Sequence, residues 1–239
     1  MENAYYRLMV PELALEQEAA IYGQAATWEE SVKWAKAEWV HDKMDLEQIT
    51  CPVHPGHMRG GDRIGDLIVE LSSPKIGDFV WTWYSECLIT QRVLDLFRQA
   101  GLTGFEVRPV TVERVKRVRR GADLSLPTLW ELVVVGQAGE AHPDSGIRLV
   151  YRCEACDYEE YSSFRNGIIV DEAHWDGSDF CTVVGYCNDI IVTERVKEVI
   201  VANQLVNCTL IPSHKLQWPK GLPRNEDLYD EHGWKKRSP

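Results

Sequence analysis

This 239-residue chain has no apolar run near the roughly 20 residues that span a bilayer. Its opening stretch, MENAYYRLMVPELALEQEAA, lacks the basic leader, apolar core and small-residue cleavage site of a signal peptide. These absences predict a cytoplasmic protein with no membrane partner. Cations are also scarce: 26 Lys and Arg face 37 Asp and Glu, a net charge of −11. Phosphate affinity comes largely from clustered cations, so this balance argues against a general nucleic-acid binder and favours a basic partner. Missing too are a Gly-x-Ser-x-Gly elbow, a Walker loop, a His-Glu-x-x-His pair and a Gly-x-Gly-x-x-Gly after a strand. The sequence does not argue for an enzyme.

What is present is an ordinary globular composition, 44% hydrophobic, with nine Trp and nine Tyr to fill cores or a recognition face. The chain also echoes itself at a shift of about 102 residues. Thr90-Gln-Arg-Val93 matches Thr193-Glu-Arg-Val196, Leu102 meets Leu205, and Pro109 meets Pro212. Upstream, Asp78-Phe79 matches Asp179-Phe180, and Cys51 and His54 match Cys153 and Cys156. The expected fold is α+β: a degenerate tandem repeat of strand–strand–helix–strand units joined by a zinc-ribbon-like metal site. Helices are expected over 91–100 and 194–203, N-capped by Thr90 and Thr193 and closed by Gly101 and Gly104 or by Asn203 and Asn207. Further strands are expected over 105–112, 128–135, 147–153 and 207–216.

Before the repeat, Thr27-Trp-Glu-Glu30 reads as a capping box that opens a helix to about Val40, with Trp28, Val32, Ala35 and Trp39 as its apolar stripe. The organisation expected is an N-terminal helical segment over 1–45, repeat 1 with the first knuckle over 46–112, and a basic arm with connecting strands over 113–150. Repeat 2 with the second knuckle follows over 151–218, then a loosely ordered charged tail over 219–239.

Seven cysteines cannot all pair within one chain, and in a reducing compartment close spacing points to metal or reactive thiols. Cys51-Pro-Val-His54 and Cys153-Glu-Ala-Cys156 each offer two ligands at zinc-knuckle spacing. Cys51, His54, Cys153 and Cys156 would complete a closed tetrahedral site for structural zinc and staple the two repeats together. His57 is an alternative to His54, because Pro55-Gly56 makes a tight turn that could swing either inward. Cys87, Cys181, Cys187 and Cys208 sit in apolar, strand-like surroundings and read as small hydrophobes. The run Arg114–Arg120 holds five cations and no acid, and reads as a solvated arm or an internal partner for the acidic surface.

The ordered set CPVH at 51–54, GEAHPD at 139–144, CEAC at 153–156, GIIVDEAHWDGSDF at 167–180 and IIVTERVKEVI at 190–200 resembles the double-CxxCG-motif immunity proteins of bacterial polymorphic toxin systems. The resemblance spans roughly 45–216. His54 stands where the family has its second cysteine, Pro55 follows in place of glycine, and Asp157 replaces the glycine of the second turn. The resemblance implies a non-catalytic cytoplasmic protein that neutralises one cognate toxin domain, and it assigns no inhibitory residues. The partner-contact residues expected from the sequence are Asp171, Glu172 and Asp176 in one acidic loop, with Trp81, Trp83 and Tyr84. A homo-oligomer is compatible with this reading. The alternatives are a nucleic-acid-binding regulator using 114–120 and a zinc-dependent hydrolase.

Overall fold

The computed structural model describes residues 4–14, 17, 33–54, 57, 59–83, 86–118 and 124–228. It is a mixed α+β fold in which strands dominate. Among the described residues, fourteen strands run in chain order: β1 (Tyr5–Met9), β2 (Ala37–Trp39), β3 (Asp45–Ile49), β4 (Arg59–Ile64), β5 (Leu67–Leu71), β6 (Phe79–Trp81) and β7 (Cys87–Thr90), then β8 (Phe105–Val115), β9 (Leu129–Val134), β10 (Leu149–Arg152), β11 (Glu159–Tyr161), β12 (Phe180–Val183), β13 (Tyr186–Thr193) and β14 (Thr209–Pro212). Among the described residues, the α-helices are α1 (Gln91–Gln99), α2 (Glu194–Ala202) and the single turn α3 (Asn225–Leu228), beside a short helical stretch at 11–14. No described helix is long and apolar enough to cross a membrane.

Two larger sheets carry the core. One has the order β2-β5-β8-β9-β7-β6, and a bridge between Ala37 and Thr82 brings its two edges nearly together. The other has the order β12-β13-β1-β14. β5 alternates inward and outward residues, so Leu67, Val69 and Leu71 are buried with Val80, Leu88 and Leu129 inside the six-stranded sheet. The main cluster lies between the sheets and helices: Phe79 and Phe97 from one side, Phe180 and Ile200 from the other. Phe97 and Phe180 sit with ring centroids 5.3 Å apart, and neither is exposed to solvent. Truncating such a residue to Ala costs about 3–5 kcal/mol.

The run β6–β7–α1–β8 and the run β12–β13–α2–β14 make matching contacts. Each helix follows directly on its hairpin and buries the same face, Val93 and Phe97 in α1, Val196 and Ile200 in α2. Gly101 and Gly104 after α1, and Gln204 and Asn207 after α2, all take positive φ. β9 lies between β7 and β8, with Leu129 opposite Thr90 and Trp130 opposite Pro109. β1 lies between β13 and β14, with Tyr5 opposite Thr193 and Tyr6 opposite Pro212. Trp130 Nε1 donates to Gln91 at the start of α1, and Tyr6 Oη donates to Glu194 at the start of α2.

Several sequence expectations need correction. The segment 1–45 is not simply helical: it holds β1 and β2, and 11–14 form one short helical stretch. Ala37–Trp39, expected at the end of a helix, is instead extended because it pairs antiparallel with β5. Trp28, Val32 and the capping box lie outside the described residues. Thr90 and Thr193 occupy the N-cap positions but bond no helix N–H. The Thr193 hydroxyl turns to Asp179 instead, at 2.8 Å. The boundary at 113 cuts β8, which runs on to Val115. Within the basic run, Arg114 pairs with Glu70, and Lys116 with Glu38 and Glu70, so these cations serve as internal partners of the sheet's acids. Residues 219–228 are not a loose tail. Arg224 and Asn225 donate to the carbonyls of Phe164 and Tyr161, and Glu226 pairs with Arg165.

Candidate metal centre

Two β-hairpins that stand apart from the larger sheets present the cysteine turns. β3 and β4 pair antiparallel and carry 50–58 at their connection. β10 and β11 pair antiparallel and carry 153–158 at theirs. The first hairpin is tied to the six-stranded sheet by Arg63, whose guanidinium makes a two-pronged contact with Glu131 on β9. Both side chains are buried, which makes this a geometrically demanding pair that fixes the hairpin's position.

The second turn is a compact knuckle. Asp157 N donates to the Cys153 carbonyl at 2.8 Å, and Cys153 N donates to the Tyr158 carbonyl at 2.8 Å. Asp157 closes the turn with φ of 52°, the left-handed region in which glycine is the default and Asp one of the tolerated residues. That accounts for the one departure of this turn from a Cys-x-x-Cys-Gly pattern. In the first turn, His54 N donates to Cys51 Sγ at 3.2 Å, and His57 N donates to the His54 carbonyl at 2.9 Å.

These turns bring Cys51, His57, Cys153 and Cys156 together, with one ligand atom from each lying within 4.8 Å of all the others. Cys51 Sγ and Cys153 Sγ are 3.8 Å apart. Tetrahedral zinc with bonds of about 2.3 Å to sulfur requires an S···S edge of about 3.8 Å. His57 Nδ1 is 4.0 Å from Cys156 Sγ, a few tenths of an ångström beyond the matching N···S edge of about 3.6 Å. The donor set and its spacing therefore fit zinc. Cys51, His57 and Cys153 are buried and Cys156 is half-buried.

His57, not His54, completes the group. With its amide committed to the Cys51 sulfur, His54 is held beside the site, its ring 5.0 Å from that of His57. His57 stacks on Tyr158, with centroids 4.8 Å apart and planes inclined by 20°, and it also meets Tyr151 at 5.5 Å. Burial pushes the Cys153 thiol up, but the Ala155 amide and the neighbouring His57, Cys156 and Cys51 outweigh it and bring it down to about 6. A site that favours thiolate is one prepared for a soft cation. Burial and a hydrogen bond with Cys153 raise the Tyr151 phenol, so that ring stays neutral at the rim.

The remaining cysteines divide. Cys87 and Cys181 are buried, and burial pushes the Cys87 thiol well up and the Cys181 and Cys208 thiols up, the latter two to about 12. They behave as the small hydrophobes expected. Cys187 is exposed and does not.

The six expected partner-contact residues scatter. Trp81 belongs to the core, 6% exposed, with its Nε1 donating to the Asn207 carbonyl at 2.8 Å, so it offers no surface. Trp83, two residues on, is 86% exposed. Tyr84 lies outside the described residues. In the acidic loop, Asp171 accepts from Ala173 N and approaches His174, while Asp176 accepts from Gln137 N and Ser178 N. Asp171 holds the loop's own backbone, Asp176 also ties the loop to Gln137, and Glu172 between them is exposed. No family model matches this chain, and no curated protein matches it at a significant level.

Proposed function

We propose that this chain is an immunity protein: a non-catalytic inhibitor that binds and neutralises one cognate bacterial toxin domain from a scaffold fixed by structural zinc. The observation that carries this reading is the four-ligand cluster of Cys51, His57, Cys153 and Cys156, drawn from two hairpins about 100 residues apart. Four protein ligands leave no coordination position for substrate or activated water, which a zinc hydrolase needs. Their role is then to hold two distant parts of one chain in fixed relation. An inhibitor gains affinity from such preorganisation, because less freedom is lost on binding. The net charge of −11 suits a basic target such as a nuclease, whose phosphate-binding cations it would occupy. Of Trp81 and Trp83, Trp83 is the one a partner can reach, and Glu172 is an exposed acid of the 171–176 loop. The pairing of Arg114 and Lys116 with Glu70 and Glu38 speaks against a nucleic-acid arm.

The same reading includes an ancient duplication. Its support is the paired contacts of the two hairpin–helix–strand runs, including β1 and β9 in equivalent registers. On this view each half lends its first strand to the other half's sheet. An experimental structure in which the 79–112 and 180–215 backbones failed to superpose would remove the duplication and leave the zinc site untouched.

The deciding experiment is calorimetric titration with the C-terminal domain of the product encoded next to this gene, together with co-expression. Nanomolar binding and relief of toxicity are expected. Absence of binding at micromolar concentrations rejects that partner.

A further inference from the structure

We propose that the Cys153–Cys156 turn is an oxidative modification site: hydroperoxides convert it to an intra-hairpin disulfide, which expels the zinc ion and unlinks the two hairpins. The inference rests on the structural-zinc part of the reading above. Its basis is an asymmetry among the thiols. Cys156 is the half-buried member of the cluster, whereas Cys51 and Cys153 are 2% and 4% exposed, so Cys156 is the sulfur that a small oxidant meets first. Cys153 Sγ lies within 4.8 Å of Cys156 Sγ and 3.8 Å from Cys51 Sγ, which places a second nucleophile beside the first. Elsewhere burial keeps Cys87, Cys181 and Cys208 as protonated thiols, slow to react, because the thiolate is the nucleophile.

The chemistry balances in two steps. Cys156 thiolate attacks a peroxide oxygen, the O–O bond breaks, and the products are Cys156 sulfenic acid and hydroxide, or alkoxide from an organic peroxide. Cys153 thiolate then attacks the Cys156 sulfur, forming the S–S bond and expelling hydroxide. The two thiolates lose two electrons, the peroxide gains them, and two protons from solvent convert the leaving anions to water or alcohol. Zinc is left with Cys51 and His57, two ligands on one hairpin, and the bond between hairpins is gone. The Cys-x-x-Cys spacing within one turn is what lets the disulfide form without help from the other hairpin.

The test treats the purified full chain with hydrogen peroxide and follows zinc release with a chromophoric chelator, intact mass, and non-reducing peptide mapping. One zinc ion released per chain is expected, with loss of two hydrogens in mass, a Cys153–Cys156 linkage, and recovery on adding a dithiol with zinc. Cys187→Ser, which removes the exposed bystander thiol without touching the cluster, is expected to leave release unchanged. Retention of zinc while peroxide oxidises Cys187, or a disulfide mapped to any other pair, overturns the proposal. A chain isolated without zinc overturns the structural-metal reading instead, and the thiol step is then judged by the mapped disulfide alone.

Discussion

Asp78 and Asp179 do the same work at corresponding places in the two sheets. The Asp78 carboxylate accepts from Val206 N at 2.9 Å and pairs with Arg92, whose other nitrogen donates to the Asn203 carbonyl. The Asp179 carboxylate accepts from Thr103 N at 3.0 Å and pairs with Arg195, whose other nitrogen donates to the Ala100 carbonyl. Each aspartate opens one hairpin and holds the loop that leaves the other run's helix. The two runs are thus clasped reciprocally, by charge-assisted bonds at the rim of the shared aromatic core.

Asp179→Ala is expected to destabilise the protein more than Asp78→Ala. The Asp179 side chain is 3% exposed against 12% for Asp78, and it also serves the Thr193 hydroxyl. Each buried donor left without a partner costs about 1–3 kcal/mol. Urea denaturation of both variants measures the difference, and equal midpoints would contradict this ranking.

On the proposed structural-zinc reading, His57→Ala should abolish stoichiometric zinc, because it removes a ligand, while His54→Ala should retain it. Structural zinc contributes on the order of 10 kcal/mol in small modules, so the first variant should also melt at a markedly lower temperature. Metal content by elemental analysis and thermal melts read both effects. A zinc-free His54→Ala chain with normal His57→Ala content would reverse the assignment.

Gly104 separates packing from backbone strain. With φ of 83°, it faces Phe180 O and Ser178 so closely that a Cβ would collide with them. Gly104→Ala is expected to cost about 3 kcal/mol or more. Gly101 has φ of 63° but open space around it, so Gly101→Ala should cost only about 1–2 kcal/mol. Similar losses at the two positions would show that the close approach does not matter.

Trp81 and Trp83 should part company in opposite assays. Trp81→Ala empties a core position and is expected to cost about 3–5 kcal/mol of stability. Trp83→Ala should leave stability within about 0.5 kcal/mol and, on the proposed inhibitor reading, weaken binding of the toxin domain by about 2 kcal/mol. Unchanged toxin affinity in Trp83→Ala would move the inhibitory face elsewhere.

Asp176 supplies a pH signature. Burial pushes its carboxyl up, but bonds from the Ser178 hydroxyl and the Gln137 and Ser178 amides prevail and hold it below its ordinary value. Its contribution is therefore complete above about pH 4 and is lost as pH falls through the lowered native value. Asp176→Asn should flatten the acid limb of a stability–pH curve while leaving the neutral region nearly parallel. An unchanged acid limb would mean the carboxylate is not stabilising the loop.

The sequence made the cysteine turns legible because ligand spacing is local and chemically restrictive. Distinguishing His54 from His57 was beyond it: that choice depends on which way one amide points toward a sulfur. The helices of both runs were readable from their apolar spacing and the glycines that follow α1. Gln204 was not, since nothing in its chemistry advertises a positive φ. β1 escaped for a different reason. Five residues ahead of Pro11 form a strand because β13 and β14 flank them, and both lie far along the chain. Trp39 shows the converse error, an apolar residue at helical spacing captured by the edge of a sheet.

The position of β1 also orders events in time. It leaves the ribosome well before both its neighbours in the sheet, which begin only at Tyr186 and Thr209. At about 5–20 residues per second, some 10–40 s of translation separate the strand from its partners. During that interval its apolar residues Leu8 and Met9, which end up buried, have no sheet to enter. The nascent chain must therefore carry β1 unpaired until β13 and β14 have been made, and a fusion that tethers residue 5 away from the body would delay assembly of the second sheet before it disturbed the first.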